Sequence, residues 1–458
     1  MHVMKKFIGY YKPYKKIFFI DMFCAMMISL IDLAFPQILN YLNDTLYLDT
    51  KEAILNSLLY LFIGLLIMYI VRAVCRFYVS GQGHIMGARM ESDMRQDLFD
   101  HYEKLSFSYY DKNNTGEMMS RLVSDLFDIS EFAHHGPENL FISLLKIIGS
   151  FVLLSFIHIP LTLILLSVTL IMLVFSYYQN KRMQATFTDN RRKIAGVNAS
   201  LQDSLAGIRV VKSFANEDLE REKFYQSNDR FLKSKENNYN IMGIFYGGNN
   251  FFQGLLYLVI LVAGGYFVAM GTLDPVSLAT YALYINIFVA PIEILVEFTE
   301  MFQKGFSGFK RFLEVIETEP EIVDRPDAKE LKDVKGVIDY QDVSFAYTDE
   351  EPVLNHVNIH IEAGKSVALV GPSGGGKTTL CSLLPRFYDV GDGSISIDGE
   401  DIRNFTLHSL RSSIGIVQQD VYLFAGSIRD NIAYGKPTAS DEEIIEAAKK
   451  ANIHDFIE

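Results

Sequence analysis

The chain has 458 residues, of which 49% are hydrophobic and 21% are charged, and its formal net charge is −13. Most of that charge is at the C-terminal end, where residues 336–458 carry 9 Lys and Arg against 19 Asp and Glu. An acidic segment repels the phosphodiester backbone, which argues against a nucleic-acid partner. The high apolar content is typical of a protein that lies partly in lipid.

The first apolar run, Ile17–Leu42, predicts a retained membrane helix. It is too long for the core of a signal peptide and has no small-residue cleavage site. A helix needs roughly 20 mainly apolar residues to span a bilayer. The segments that meet this length are Ile17–Leu39, Ile54–Val79, Leu140–His158, Leu161–Tyr178, Asn250–Met270 and Pro275–Phe298.

Lys and Arg are distributed unevenly around these six segments. The tail before the first segment has five and the connection Gln179–Gly243 has twelve, whereas the loop Asn40–Ala53 has one and the tight turns at 159–160 and 271–274 have none. Cytoplasmic segments carry an excess of Lys and Arg. We therefore expect both termini and both long connections to be cytoplasmic.

The two long connections, Ser80–Glu138 and Gln179–Gly243, exceed the length of simple loops and show helical periodicity with charged faces. They predict membrane helices that continue into the cytosol and pair there. A local turn in each, at 111–116 and near 206–207, predicts a short crossing helix. His134 and His135 are expected in a solvated loop, because the histidines and cysteines of the chain show no metal-ligand spacing.

Asp32 lies near the middle of the first predicted span. Intramembrane charge is costly and tends to mark a transport pathway, so we expect Asp32 to face a substrate cavity and to make that cavity favour cations. Other charged residues in or near the spans are Asp21, Arg72, Arg76, Lys146, Glu293, Glu297 and Glu300.

The segment Glu317–Lys335 is polar, contains two prolines and predicts a linker. We therefore expect an all-α membrane domain at 1–316, the linker at 317–335 and an α/β domain at 336–458. The predicted strands of the last domain are Val337–Tyr347, Val357–Glu362, Ser366–Val370, Ser394–Asp398 and Ile414–Val417.

Residues Gly371–Thr378 read GPSGGGKT and meet the pattern GxxxxGK[ST] of a phosphate loop. Glycines let successive backbone N–H groups point at phosphate oxygens, and a helix that begins at Lys377 adds its positive end. Lys377 is expected to reach the β- and γ-phosphates, and the Thr378 hydroxyl is expected to ligate Mg²⁺. The predicted ATP-binding residues of this segment are Gly371, Pro372, Ser373, Gly374, Gly375, Gly376, Lys377, Thr378 and Thr379.

The segments Val343–Thr379 and Gly415–Ile432 resemble the start of the nucleotide-binding domain of ABC transporters. This resemblance implies that Tyr347 stacks on adenine and that Gln419 reaches Mg²⁺ and the attacking water. An aromatic face suits a purine, and an amide can ligate a cation and orient water.

The membrane part is similar to that of exporter-type ABC half-transporters. Phe107–Leu126 and Asp203–Glu217 are similar to the two cytoplasmic coupling regions of that family, and Lys310–Pro320 is similar to the exit from its sixth helix. The residues assigned to coupling on this basis are Asp111, Gly116, Arg121, Asp203 and Gly207. Asp203 departs from the family pattern, which usually has Glu.

The resemblance implies a homodimer or a heterodimer with a second half-transporter, in a bacterial plasma membrane, that exports a lipid, peptide or hydrophobic drug. The signature loop (LSGGQ-like), the Walker B and catalytic carboxylates and the switch histidine would lie beyond Glu458. We therefore expect a fragment of a longer product that does not by itself hydrolyse ATP. The alternative is a non-hydrolytic membrane protein that binds nucleotide as a regulatory or assembly subunit, and an importer is disfavoured.

Overall fold

The computed structural model describes residues 2–42, 50–348, 352–418 and 421–458, and the chain forms two compact units. The first unit comprises residues 1–105 and 109–319, and the second comprises residues 106–108 and 320–458.

The first unit is helical. Within the described residues, six helices are long and apolar enough to cross a membrane, and we number them in chain order as the first to sixth long helix. They are Lys12–Tyr41, Lys51–Tyr102, Thr115–Ile157, Ile159–Ala206, Glu217–Ala269 and Pro275–Ile316. Each predicted span lies within one of these helices, except that the third and fifth predicted spans end one residue beyond it, at His158 and Met270.

Several of these long helices contain a single π-helical turn. These turns are Val79–Gly83 in the second long helix, Arg121–Asp125 in the third and Ile260–Gly264 in the fifth. The α-helical stretches on either side are Lys51–Tyr78, His84–Tyr102, Thr115–Ser120, Leu126–Ile157, Glu217–Val259 and Gly265–Ala269. The first long helix consists of Lys12–Tyr14, Lys15–Ala34 and Gln37–Tyr41.

Short helices stand at both places where the sequence predicts them. His2–Gly9 precedes the first long helix, Phe107–Lys112 follows the second, and Ile208–Ser213 lies between the fourth and fifth. The long connections are therefore helical, as predicted. The long helices extend well beyond the predicted spans and form most of these connections.

One apolar core of this unit is centred on the sixth long helix. Its tyrosines are fully buried and have hydrogen-bond partners: the Tyr281 hydroxyl donates to Leu154 O at 3.0 Å, and the Tyr284 hydroxyl donates to Leu33 O. By contrast, the second long helix exposes large apolar side chains, among them Tyr60 at 75% and Phe77 at 79%. An apolar surface of this extent suits contact with lipid.

The second unit contains one antiparallel sheet of four strands in the order β2-β1-β3-β4. The strands are β1 (Ile338–Phe345), β2 (Leu354–Ile361), β3 (Asp392–Ile397) and β4 (Glu400–Asp401). The helical segments of this unit are Lys377–Leu383, Ile402–Asn404, Leu407–Ser412, Ile428–Ala433, Asp441–Lys450 and His454–Ile457.

Two predicted strands are wrong. Ser366–Val370 and Ile414–Val417 have no strand assignment, and no described strand pairs with either of them. Their side chains are also largely exposed, with Val370 at 94% and Val417 at 100%. An apolar β-branched run has the propensity for a strand, but it becomes one only when a neighbour supplies the hydrogen-bonded ladder.

Candidate functional site

The phosphate loop, Gly371–Thr378, is shaped by two glycines in the left-handed region. Gly374 has φ +81° and Gly376 has φ +75°. A Cβ at Gly376 would lie 2.7 Å from Leu354 Cδ2 and 3.2 Å from Val353 O, so this position has neither the conformation nor the space for another residue. The loop therefore depends on glycine for its backbone path.

Lys377 folds back over the loop that precedes it. Its ammonium group donates hydrogen bonds to Gly371 O at 3.0 Å and to Pro372 O at 2.7 Å. Residues Gly371–Gly375 and Thr378 are exposed, whereas Gly376 and Thr379 are buried. The loop thus presents the Lys377 ammonium group and the Thr378 hydroxyl at the surface, while the neighbouring Gly376 and Thr379 are buried.

The helix after the loop, Lys377–Leu383, is anchored on the sheet. Leu380 and Leu383 lie in the apolar core of the second unit, and the Tyr340 hydroxyl donates to Leu380 O at 3.0 Å. Burial raises the pKa of this phenol, which stays neutral and keeps its proton for that bond. The sheet therefore determines the position of the loop through this helix.

Tyr347 lies beside the same helix. Its hydroxyl is 3.1 Å from Thr379 Oγ1, and its ring contacts the rings of Phe345 and Tyr388 edge-on at centroid distances of 4.9 and 5.2 Å. The side chain is 45% exposed, so a ring surface next to the phosphate loop is open to solvent. Gln419 lies outside the described residues.

Comparisons with known proteins match both parts of the chain. The family model described as ABC transporter transmembrane region matches residues 18–292, and the one described as ABC transporter matches residues 354–458. The chain belongs to the ABC transporter family. It is a membrane-spanning transporter with an ATP-binding region on the same polypeptide, as the sequence resemblance implies.

Curated relatives resemble this transporter over nearly all of its residues. The uncharacterized ABC transporter ATP-binding protein YwjA of Bacillus subtilis is 42% identical and aligns with 99% of this chain and 79% of its own length. The putative multidrug export ATP-binding/permease protein YgaD of the same organism is 34% identical, over 100% and 80%. The ATP-dependent lipid A-core flippase of Syntrophus aciditrophicus is 32% identical, over 100% and 75%.

In the segment that the resemblance assigns to the first coupling region, each assigned residue lies at a helix end or turn. Asp111 is exposed near the end of Phe107–Lys112, and Gly116 donates its backbone N–H to Asn114 Oδ1 at 2.7 Å at the start of the next helix. Arg121 begins a π turn and donates to Glu117 Oε1 at 2.7 Å.

In the segment that the resemblance assigns to the second coupling region, Asp203 and Gly207 lie at the end of the fourth long helix. The Gly207 N–H donates to Asp203 O at 2.9 Å, and the helix Ile208–Ser213 begins directly afterwards. A Cβ at Gly207 would lie 3.1 Å from Asp203 O, so a small residue suits this tight change of helix.

Asp32 lines a cavity of about 530 Å³ formed by the first, second, third and sixth long helices. Its Oδ1 accepts from Arg72 Nε at 2.8 Å and its Oδ2 accepts from Lys146 Nζ at 2.6 Å. We call Asp32, Arg72 and Lys146 the charged trio. Its formal charge is +1, which argues against the expected preference for cations, because two cationic neighbours outweigh one carboxylate. The sequence showed all three charges but not that they meet.

The predicted solvated loop at His134 and His135 is also wrong. Both residues lie within the helix Leu126–Ile157, and His134 is only 4% exposed. The third long helix continues through this region and packs against the second and sixth, so one face of it is buried. Helical periodicity around these residues was the signal that could have indicated this.

Proposed function

We propose that this chain is one subunit of an ATP-driven exporter, in which nucleotide binding at Gly371–Thr379 drives the membrane helices to move a substrate across the bilayer. The observation that carries the proposal is a phosphate loop with two left-handed glycines on the same polypeptide as six helices of membrane-spanning length. One ATP-binding region per chain supports assembly of two chains, either two copies or one copy with a related half-transporter. The distribution of Lys and Arg supports cytoplasmic termini.

The residues of the phosphate loop suit a nucleoside triphosphate. Bound ATP supplies the free energy of hydrolysis for transport. Lys377 would exchange its two backbone carbonyl partners for phosphate oxygens, and the exposed Thr378 hydroxyl would hold Mg²⁺. The family resemblance implies that Gln419 would be a second ligand of that ion. The half-exposed ring of Tyr347 packs against the adenine.

For the substrate, we propose an amphipathic molecule with an anionic group. The charged trio places a net positive charge among apolar residues that line the same cavity, including Phe35, Tyr69 and Ile287. A positive charge away from bulk water attracts an anion more strongly than it would at the surface. The relatives named as a multidrug exporter and as a lipid A-core flippase support an amphipathic substrate.

The first experiment tests the coupling of nucleotide to transport. The full-length protein is reconstituted in liposomes, and ATP-dependent movement of fluorescent amphiphiles is compared between wild type and Lys377→Ala. We expect movement in the wild type alone. Affinity for labelled ATP without any ATP-dependent movement or turnover would instead favour the regulatory alternative. That the 458 residues alone do not hydrolyse ATP remains a prediction, which Lys377-dependent phosphate release would contradict.

The second experiment tests the charge of the substrate. ATPase stimulation is measured with anionic, zwitterionic and cationic amphiphiles of matched chain length. Lys146→Gln makes the trio neutral, and removing a charged hydrogen-bonding group costs about 1.5–3 kcal/mol, so the half-maximal concentration of the anionic compound is expected to rise roughly tenfold or more. Lys51→Gln, at the exposed start of the second long helix, is the matched control. Equal stimulation by all three classes would contradict the proposal.

A further inference from the structure

Three histidines meet between the second and third long helices, and none of them belongs to the phosphate loop or to the charged trio. His84 is on the second helix, five residues after the end of its predicted span, and His134 and His135 are on the third, just before its predicted span begins. The ring centroids are 4.6 Å apart for His84 and His134, 4.9 Å for His84 and His135, and 4.1 Å for the adjacent pair.

The spacing of these rings is close to that of a metal site. One ring nitrogen of each histidine lies within 4.8 Å of the other two. A Zn–N distance of about 2.0–2.1 Å puts the ligand atoms of a tetrahedral site roughly 3.3 Å apart, so small side-chain rotations close the gap. Histidines at adjacent positions on one helix and a third on its neighbour enclose the space from two sides.

Glu131 supplies a carboxylate to the same space. Its Oε1 is 3.9 Å from His134 Nε2 and its Oε2 is 4.0 Å from His135 Nε2. Glu131 precedes the two histidines by three and four residues, which puts all three side chains on one helical face. Three imidazoles and one carboxylate make four donors, the number of a tetrahedral centre.

His134 is oriented as a metal ligand requires. Its Nδ1 donates to Ser130 O at 2.7 Å, and that bond leaves Nε2 as the unprotonated nitrogen. His134 is 96% buried. Its Nε2 is buried as well and has no hydrogen-bond partner among the described residues. A buried acceptor without a partner is costly, and metal-bound histidines usually donate their second nitrogen to a carbonyl in this way.

The backbone of the second long helix makes room for the His134 ring. A Cβ at Gly87 would lie 2.6 Å from His134 Nδ1, so only glycine permits this approach. The π turn Val79–Gly83 directly precedes His84 and changes the direction in which the following residues point. Such turns occur often at functional sites.

We propose that His84, His134, His135 and Glu131 bind a divalent transition-metal ion of the zinc class. Imidazole ligands suit Zn²⁺, Co²⁺ and Ni²⁺, whereas Mg²⁺ and Ca²⁺ take oxygen ligands. The exposed His84 gives the ion access from solvent. The bound ion joins the second and third long helices and stabilises the arrangement in which they are adjacent.

The experiment measures metal binding directly, so its result does not depend on whether the protein exports anything. The full-length protein, purified with a histidine-free affinity tag and stripped with a chelator, is titrated with Co²⁺ and then with Zn²⁺. We expect one Co²⁺ per chain with the intense visible absorption of a tetrahedral complex, its displacement by Zn²⁺, and a Zn²⁺-dependent rise in the unfolding temperature.

Two variants remove ligands and two serve as comparisons. His84→Ala removes an exposed ligand, and His134→Ala removes the buried one; each is expected to weaken Zn²⁺ binding at least tenfold. Gly87→Ala displaces His134 and is expected to weaken binding as well, whereas His408→Ala, an exposed histidine of the second unit, leaves it unchanged. Zn²⁺ isotherms of His84→Ala and His134→Ala that match the wild type would overturn the proposal.

Discussion

In the phosphate loop, the groups available to a ligand are largely backbone N–H groups within eight consecutive residues, of which Pro372 has none. In the charged trio, they are side chains from three helices, and Asp32 and Lys146 are 114 residues apart in the sequence. The loop depends on its backbone conformation as well as on the Lys377 side chain, because φ at Gly374 and Gly376 is positive. The trio depends on the charges of its side chains.

The two regions also differ in how they balance charge. Lys377 is held by two neutral carbonyl oxygens, which an anion can replace without leaving a charge uncompensated. Arg72 and Lys146 share one carboxylate, so the trio keeps an excess positive charge even when every pair is made. Lys377 can therefore exchange its carbonyl partners for a bound anion, whereas the trio can bind an anion in addition to the partners that it already has.

The largest expected effect is on the trio. Asp32→Asn leaves two cations facing each other, and we expect a loss of stability of about 2–3 kcal/mol, less than the 3–5 kcal/mol of a fully buried pair because Arg72 is 40% exposed. Thermal unfolding of the detergent-purified protein measures it. The double variant with Lys146→Gln lowers the formal charge of the trio from +2 to the wild-type value of +1 and should recover part of the loss. No recovery would show that Asp32 acts by packing and not by charge.

The next effect is on Lys377. Lys377→Ala removes the cation of the phosphate loop, and we expect affinity for a labelled ATP analogue to fall by about 10- to 100-fold, from the 1.5–3 kcal/mol of a charged hydrogen bond. Lys365→Ala, which removes an exposed lysine of the same unit, is the matched control and should bind as the wild type does. Similar losses in both variants would indicate a general electrostatic effect.

Gly376→Ala tests the dependence on backbone conformation. A residue with a side chain pays about 1–2 kcal/mol in the left-handed region, and the new methyl would also contact Leu354 Cδ2 at 2.7 Å. We expect nucleotide affinity to fall roughly tenfold in an equilibrium binding assay. Gly364→Ala has a similar φ of +69° but no neighbour within 4 Å, so it should lower stability by about 1–2 kcal/mol and leave affinity unchanged.

The smallest effect concerns Asp398, in the two-residue turn between β3 and β4. Its carboxylate accepts from the backbone N–H groups of Lys335, Gly336 and Val337 at 2.8–3.0 Å, and these bonds lower its pKa below the ordinary 3.8. The stabilisation is therefore complete above pH 3.8 and is lost as the pH falls through the lowered value. Chemical unfolding at pH 3–6 should show a smaller acid-induced loss of stability in Asp398→Asn than in the wild type.

Much of the fold was predictable from local pattern. The six spans follow from runs of apolar residues, since helix formation and lipid burial depend on consecutive residues. The phosphate loop follows from eight adjacent residues. The strands Ser366–Val370 and Ile414–Val417 were predicted from composition alone and were wrong, because a strand needs a partner that composition does not specify.

The sequence by itself determined that the chain spans a membrane, that it carries a phosphate loop and that it resembles ABC exporters, because each signal lies within one contiguous segment. Only the tertiary structure decided that Asp32 lies between two cations and that His84 meets His134 and His135. The reason is physical: charge balance and ligand geometry depend on distances between side chains, and the packing of helices that are far apart in sequence determines those distances.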